Sequence, residues 1–274
     1  MSNTKPLIIV GMHRSGTTLL TNILEESSFW LGDEHEGNSE PQYVLDLNDK
    51  ILAYLDANWC ELHGFEANKL ANNDALKELA AKFVDDFDKI LNGPFSTQND
   101  KWGWKEPRTT LLLPLWLHFY PEARVIHIIR NGIDVAGSLY SRESRYREKN
   151  LLKRLLINLK HNFKVHSNKK LMDVNYCFEL WEKYIFYAEK WLSNHKGEKL
   201  EIKYEDLLSG DNKTIDNLKA FLNLTEIKQE FGEGMKIDSN RAYAFLSNPK
   251  LKNLYQEKAD SKYMVKYGYN EIEV

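Results

Sequence analysis

Cysteine is nearly absent from this chain of 274 residues, which has two, Cys60 and Cys177. Two distant thiols cannot build a framework of several disulfides, and they suit a reducing compartment or plain burial. Long hydrophobic runs are missing as well, since none approaches the roughly 18 residues that a membrane helix needs. Neither charge sign dominates: 37 Lys and Arg stand against 40 Asp and Glu, for a net −3. That balance gives no global sign of a nucleic-acid partner. The opening residues carry no cleavable signal pattern, so the expected location is cytoplasmic. There is no repeat, no low-complexity stretch and no composition break, which points to a single domain over residues 1–274. At 42% hydrophobic and 28% charged, such a chain can bury a substantial core.

One further absence says more. Gly11-Met-His-Arg-Ser-Gly-Thr-Thr18 follows the apolar run Leu7–Val10 and has the glycine spacing and threonine pair of a phosphate-cradling loop. It lacks the lysine that a Walker loop carries after its second glycine. Thr17 stands there instead, and the cation has moved inside the loop, to Arg14. The loop's backbone N–H groups can converge on one anion, reinforced by the positive end of the following helix. The Thr17 and Thr18 hydroxyls can donate to non-bridging oxygens, and Arg14 offers a fork suited to phosphate or sulfate. His13 is either a further donor or a support for the backbone.

Strand signals are few, and each runs into a helical pattern. Leu7–Val10 and Ala123–Ile129 read as buried strands, followed by helices from about Gly16 to Glu26 and from Asn131 to Tyr140. Trp102–Arg108 reads as a short strand entering a rigid turn, and Leu200–Tyr204 as a third strand. Further helices are expected over 44–56, 74–91 and 213–222. The fold class that follows is α/β, a central parallel sheet flanked by helices. Residues 142–170 hold ten Lys and Arg against two acids, a local +8 that leaves −11 elsewhere. An apolar stripe runs through this segment. A solvated basic helix face is one reading, and attraction of an anionic acceptor or a phospholipid surface is the other.

A second anion-binding constellation sits at the carboxyl end of the second buried strand, where open α/β sheets place ligands. Arg130 is at the strand's edge, and Ser138, eight residues on, can point back from the helix. Asp134, near that helix's start, reads as dipole compensation. Lys105 and Arg108, in Trp104-Lys-Glu-Pro-Arg108, are additional candidates for the anion.

Taken together these motifs resemble the sulfotransferases that use 3′-phosphoadenosine 5′-phosphosulfate (PAPS). The loop containing His13, Arg14, Ser15, Gly16, Thr17 and Thr18 is similar to that family's 5′-phosphosulfate loop. Ile128-Ile-Arg-Asn-Gly-Ile-Asp-Val-Ala-Gly-Ser-Leu139 resembles its 3′-phosphate motif, with Arg130 and Ser138 in the matching places. Lys203-Tyr-Glu-Asp-Leu-Leu208 is similar to its Tyr-Glu-Asp-Leu segment, which assigns Tyr204 a place near the adenine. The three motifs occur in family order and span about residues 6–224. The resemblance implies a P-loop-like fold and sulfuryl transfer from PAPS to a hydroxyl or amine, leaving adenosine 3′,5′-bisphosphate and needing no metal. It departs from the best-known members at Arg14, where many have lysine, and in having no recognisable C-terminal nucleotide loop. Arg241 is the candidate to replace that loop.

The general base is expected among the acids after the first helix. Glu40 leads, because Asn38-Ser-Glu-Pro-Gln-Tyr-Val-Leu-Asp-Leu-Asn-Asp49 resembles a bacterial family pattern. Glu34 follows, on the Gly-Asp-Glu spacing, and then His35, whose imidazole titrates near neutrality. The acceptor is open among saccharides, lipid-linked glycans, protein tyrosine and small alcohols; the basic segment favours an anionic or membrane-associated glycan. The scattered histidines make no metal site. Two other readings use the same sheet: a small-molecule P-loop kinase, and a nucleotide-binding protein without turnover.

Overall fold

The computed structural model describes residues 5–32, 40–66, 70, 73–91, 101–149, 167–227 and 241–274. Glu34 and His35, and the middle of the basic segment, lie outside these residues. The chain divides into two compact units, one comprising Met1–Ile129 and Tyr184–Ser239, the other Arg130–Lys183 and Asn240–Val274.

The first unit is built on a four-stranded parallel sheet in the order β2-β1-β3-β4. Its strands are β1 (Leu7–Val10), β2 (Gly103–Lys105), β3 (Arg124–Ile129) and β4 (Lys199–Lys203). Every residue of β1 is buried, as expected for a central parallel strand covered on both faces. In register, Ile9 stands beside Lys105 on one side and Ile126 on the other, and Ile129 pairs with Lys203. All four carboxyl ends therefore lie along one edge. The helices that follow are α1 (Thr17–Glu26), α2 (Gln42–Tyr54), α3 (Asp74–Leu91) and α4 (Thr109–Phe119).

The expected elements are present, and apart from the helix after β3 their ends differ by a residue or two. The main surprise is α4. Its sequence Thr-Thr-Leu-Leu-Leu-Pro-Leu-Trp-Leu-His-Phe is apolar all round and carries Pro114 inside, so it shows no amphipathic period and a proline where helices usually break. Burial of Leu111, Leu112, Leu113, Leu115 and Trp116 overrides both signals. Trp102, Trp104, Trp116 and Tyr120 pack ring against ring at the C-terminal end of this helix.

The second unit starts with α5 (Gly132–Arg147), which runs well past the expected Tyr140. Asn131 caps it, its side chain accepting from the N–H groups of Ile133 and Asp134, so one polar residue satisfies two of the orphan donors of the first turn. Helix α6 (Val174–Asn194) crosses the boundary between the units. Phe178, Trp181 and Tyr184 in it are buried, as the helical spacing of its aromatics suggests, whereas Phe186 is exposed. The first unit closes with α7 (Tyr204–Ser209) and α8 (Asn212–Leu222), and the second with α9 (Pro249–Lys258) and α10 (Lys262–Lys266). Among the described residues, no helix is long and apolar enough to cross a membrane.

Candidate active site

The loop between β1 and α1 has two points of steric necessity. Gly11 adopts φ +156, and a Cβ there would sit 2.6 Å from the Ile128 carbonyl oxygen. Gly16 adopts φ +87, and a Cβ there would lie 2.0 Å from Cδ2 of Tyr204. Tyr204, the first residue of α7, thus lays its ring directly on the loop. Arg14 sits at a φ of 71, a left-handed conformation that a long side chain rarely takes. Such strain persists only where the surrounding structure over-determines it.

The loop's side chains divide in role. Arg14 and Thr18 are exposed, while Ser15 and Thr17 are buried. Ser15 is 1% exposed, and its Oγ has no hydrogen-bond partner among the described residues. A buried hydroxyl without a partner is costly, and an anion held by the loop would satisfy it. His13 lays its ring against Trp59, centroids 4.6 Å apart, with Tyr184 beside it at 6.3 Å. Tyr184 in turn donates its hydroxyl to the Trp59 carbonyl at 2.8 Å. Burial pushes the Tyr184 phenol well above its usual pKa, so it serves as a neutral donor.

Beside the loop, the carboxyl end of β2 carries Lys105, whose Nζ lies 2.9 Å from Oε1 of Glu40. The lysine side chain is enclosed, and the glutamate is partly open to solvent. The next residues are tied as closely. Glu106 accepts from Arg108 Nη1 and from Asn48 Nδ2, both at 2.6 Å. Arg108 Nε forms an ion pair with Asp49 Oδ1 at 2.7 Å. Burial raises the Glu106 carboxyl pKa, outweighing the pull of Arg108 and the Asn48 hydrogen bond. Burial also works against the Arg108 charge, but Glu106 and Asp49 overcome it and hold the guanidinium protonated more firmly than usual. The Thr110 hydroxyl accepts from the Gly11 N–H at 2.9 Å and donates to the Gly11 carbonyl at 3.1 Å.

Arg130 immediately follows β3 in the chain and belongs to the second unit. Its Nη2 pairs with Asp134 Oδ2 at 3.3 Å and donates to the main-chain carbonyl of Arg241. Asp134 Oδ1 accepts from the Phe245 N–H at 2.9 Å. Asp134 is therefore a buried tie between α5 and the C-terminal segment, which its place in the first turn did not reveal. Burial raises its pKa despite Arg130 and the Phe245 N–H, which lower it. Arg241 meets Arg130 through its backbone. Ser138 lies within α5, partly buried.

The structure brings Glu40 to Lys105, Tyr204 to Gly16, and Arg130 to the backbone of Arg241. Sequence reasoning missed Asn48, Asp49, Glu106 and Thr110. Asn48 did leave a signal: it sits on the buried face of α2 with Val44, Leu47, Ile51 and Leu52, a polar residue in an apolar stripe. Among the described residues, no three His, Cys, Asp or Glu side chains cluster as a metal site would require.

A parallel sheet with a glycine-containing loop after its first strand, and a lysine at the end of the neighbouring strand paired with a carboxylate from before α2, is a P-loop-like α/β fold. A sequence model of the sulfotransferase family matches residues 6–228, and the chain belongs to that family. The fold is similar to that of the sulfotransferase from Alicyclobacillus acidocaldarius, with a TM-score of 0.56 at 14% identity, covering 99% of this chain and 98% of that one. It is similar also to the sulfotransferase domain from the curacin biosynthetic pathway, with a TM-score of 0.50 at 14% identity, covering 93% and 97%. A search of curated protein sequences returned no match. Sulfuryl transfer to a hydroxyl or amine is the chemistry of the family.

Proposed function

We propose that this chain transfers the sulfuryl group of PAPS to a hydroxyl or amine acceptor, with Glu40 as general base. The observation that carries this reading is the Glu40–Lys105 pair at 2.9 Å, at the sheet edge where the β1 loop begins. In the reaction the acceptor oxygen or nitrogen attacks sulfur in line, and its proton passes to the Glu40 carboxylate. The bond from sulfur to the bridging oxygen breaks, and that oxygen leaves with the 5′-phosphate of adenosine 3′,5′-bisphosphate. Charge grows on the leaving oxygen and phosphate. Lys105, Arg14 and the loop N–H groups are the donors suited to stabilise it, as preorganised donors do in phosphoryl transfer.

The donor's 5′-phosphosulfate is assigned to residues 13–18, with the buried Ser15 hydroxyl gaining the partner it lacks. Its 3′-phosphate is assigned to Arg130 and Ser138, and its adenine to the neighbourhood of Tyr204. We assign both units to one sulfotransferase domain. Among acceptors, the basic segment supports an anionic glycan, free or lipid-linked. Titration with adenosine 3′,5′-bisphosphate against ATP with Mg²⁺ tests the donor: tighter binding of the bisphosphate is expected, and preference for ATP would overturn the reading.

A further inference from the structure

The six residues from Lys105 to Thr110 form a strut between the helix that follows Glu40 and the loop that holds the donor. Lys105 meets Glu40, Glu106 and Thr109 meet Asn48, Arg108 meets Asp49, and Thr110 meets Gly11. Pro107 alone of the six has no part in these ties. We propose that Asn48 and Asp49 are positioning residues, which set the Glu40 carboxylate against Lys105 at a fixed distance from the anion loop. The inference rests on the assignment of Glu40 as base.

The chemistry of Asn48 supports this role. Its amide is fully buried, and its Nδ2 donates to Glu106 Oε2 at 2.6 Å and to Thr109 Oγ1 at 2.9 Å. Its Oδ1 accepts from Trp116 Nε1 at 2.9 Å. A carboxylate can only accept and an indole N–H can only donate, so these partners fix which way the amide faces. An aspartate there could not donate to Glu106, and a leucine would strand three buried polar groups. Asp49, next along the helix, adds the ion pair to Arg108, so two successive residues fix the rotation and the axial position of α2. From Gln42, where α2 begins, to Asn48 the helix rises only about 9 Å, and Pro41 restricts the joint to Glu40. A well-packed apolar contact would hold α2 at least as strongly as this buried charge network. What the polar network adds is a unique register, which an apolar contact does not enforce. A misplacement of about 1 Å at reacting groups can cost about 100-fold in rate.

The test uses the full chain and PAPS labelled with ³⁵S, with transfer measured to acceptors taken from a panel of phenols, saccharides and amines. Affinity for adenosine 3′,5′-bisphosphate is measured by calorimetry. If the wild type neither binds the bisphosphate nor transfers label to any panel member, the functional reading fails, and this inference fails with it. If the wild type is active, Asp49→Ala decides, with Asp49→Asn used should the alanine variant not melt cooperatively. The expected result is a fall in kcat of about 10- to 100-fold, with donor KM and bisphosphate Kd within about twofold of wild type. In a Glu40→Gln background the same substitution should cost nothing more, because there is no base left to place. Asp49→Glu should recover part of the loss. An equal loss in both backgrounds, an unchanged kcat, or a loss that follows nucleotide affinity would each overturn the proposal.

Discussion

Lys105 Nζ and Glu40 Oε1 stand 2.9 Å apart, with the lysine side chain 1% exposed and the glutamate 18%. The pair is asymmetric in a useful way: the cation is held inside, and the carboxylate keeps a face that an acceptor can approach. Glu40→Gln preserves the size of the side chain and its contact with Lys105 while removing its basicity. It is expected to lower kcat by about 10²- to 10⁴-fold, the usual range for a general base, and to leave bisphosphate binding unchanged. Transfer kinetics and calorimetry on one preparation check both halves. Loss of rate in Glu34→Gln with wild-type rate in Glu40→Gln would move the base to the preceding loop.

Gly16 makes a second prediction. A methyl group there meets the Tyr204 ring and also a φ of +87. Gly16→Ala is expected to destabilise the protein by about 1–3 kcal/mol through overpacking, on top of the cost of the left-handed backbone, and to weaken bisphosphate binding. Gly16→Ala combined with Tyr204→Ala clears the clash but leaves the left-handed backbone, which alone costs about 1–2 kcal/mol. Because Tyr204 is itself buried, its truncation has its own cost, and the double variant should lose less stability than the two single losses added together. Thermal unfolding of the two single variants and the double variant measures the coupling. Full additivity would show that ring and loop do not meet.

Thr110 closes both backbone groups of Gly11 with one hydroxyl. Thr110→Val keeps the shape and orphans a buried N–H and carbonyl, at about 1–3 kcal/mol for an unsatisfied group. Thr110→Ser keeps the hydroxyl and should stay near wild type. Denaturant unfolding of the pair is the check, and the valine variant should also bind the bisphosphate more weakly, because the loop begins at Gly11.

Much of this was legible in the sequence, and the reasons for the gaps are physical. The strand Leu7–Val10 and the helix Asp74–Leu91 stand where the pattern puts them, because a buried strand and an amphipathic helix each write a clean period. Helix α4 writes none, being apolar on nearly every side and interrupted by Pro114. The loop was readable because glycine spacing and a threonine pair report a backbone shape. Glu40 and Lys105 were each identified as candidates, but their meeting was not, since it joins residues on two elements far apart in the chain. Asn48 shows the limit best. A polar residue on an apolar helix face announces a buried partner, yet nothing local says that the partners are Glu106, Thr109 and Trp116.

Arg130 and Arg241 separate by the kind of atom in contact. Arg130 reaches the carbonyl of Arg241 and the carboxylate of Asp134, so truncating the Arg241 side chain leaves the carbonyl that accepts from Arg130 in place. Arg130→Ala should weaken bisphosphate affinity by about tenfold or more, the equivalent of one charge-assisted hydrogen bond, and Arg241→Ala should weaken it less. Arg130→Ala has a second, pH-dependent consequence. Burial already raises the Asp134 pKa above its ordinary 3.8, while Arg130 opposes the rise, so removing Arg130 raises it further. A folded-state pKa above the unfolded one means that the folded protein holds the proton more tightly. The stability linked to that proton is present below the unfolded value and is lost as pH rises through the folded one. The melting temperature of Arg130→Ala should therefore fall relative to wild type as pH rises above the ordinary carboxylate value of 3.8. Adding Asp134→Asn should flatten that difference. A melting difference independent of pH would mean that Asp134 carries no uncompensated charge in the variant, and that the two side chains are not the electrostatic pair seen here.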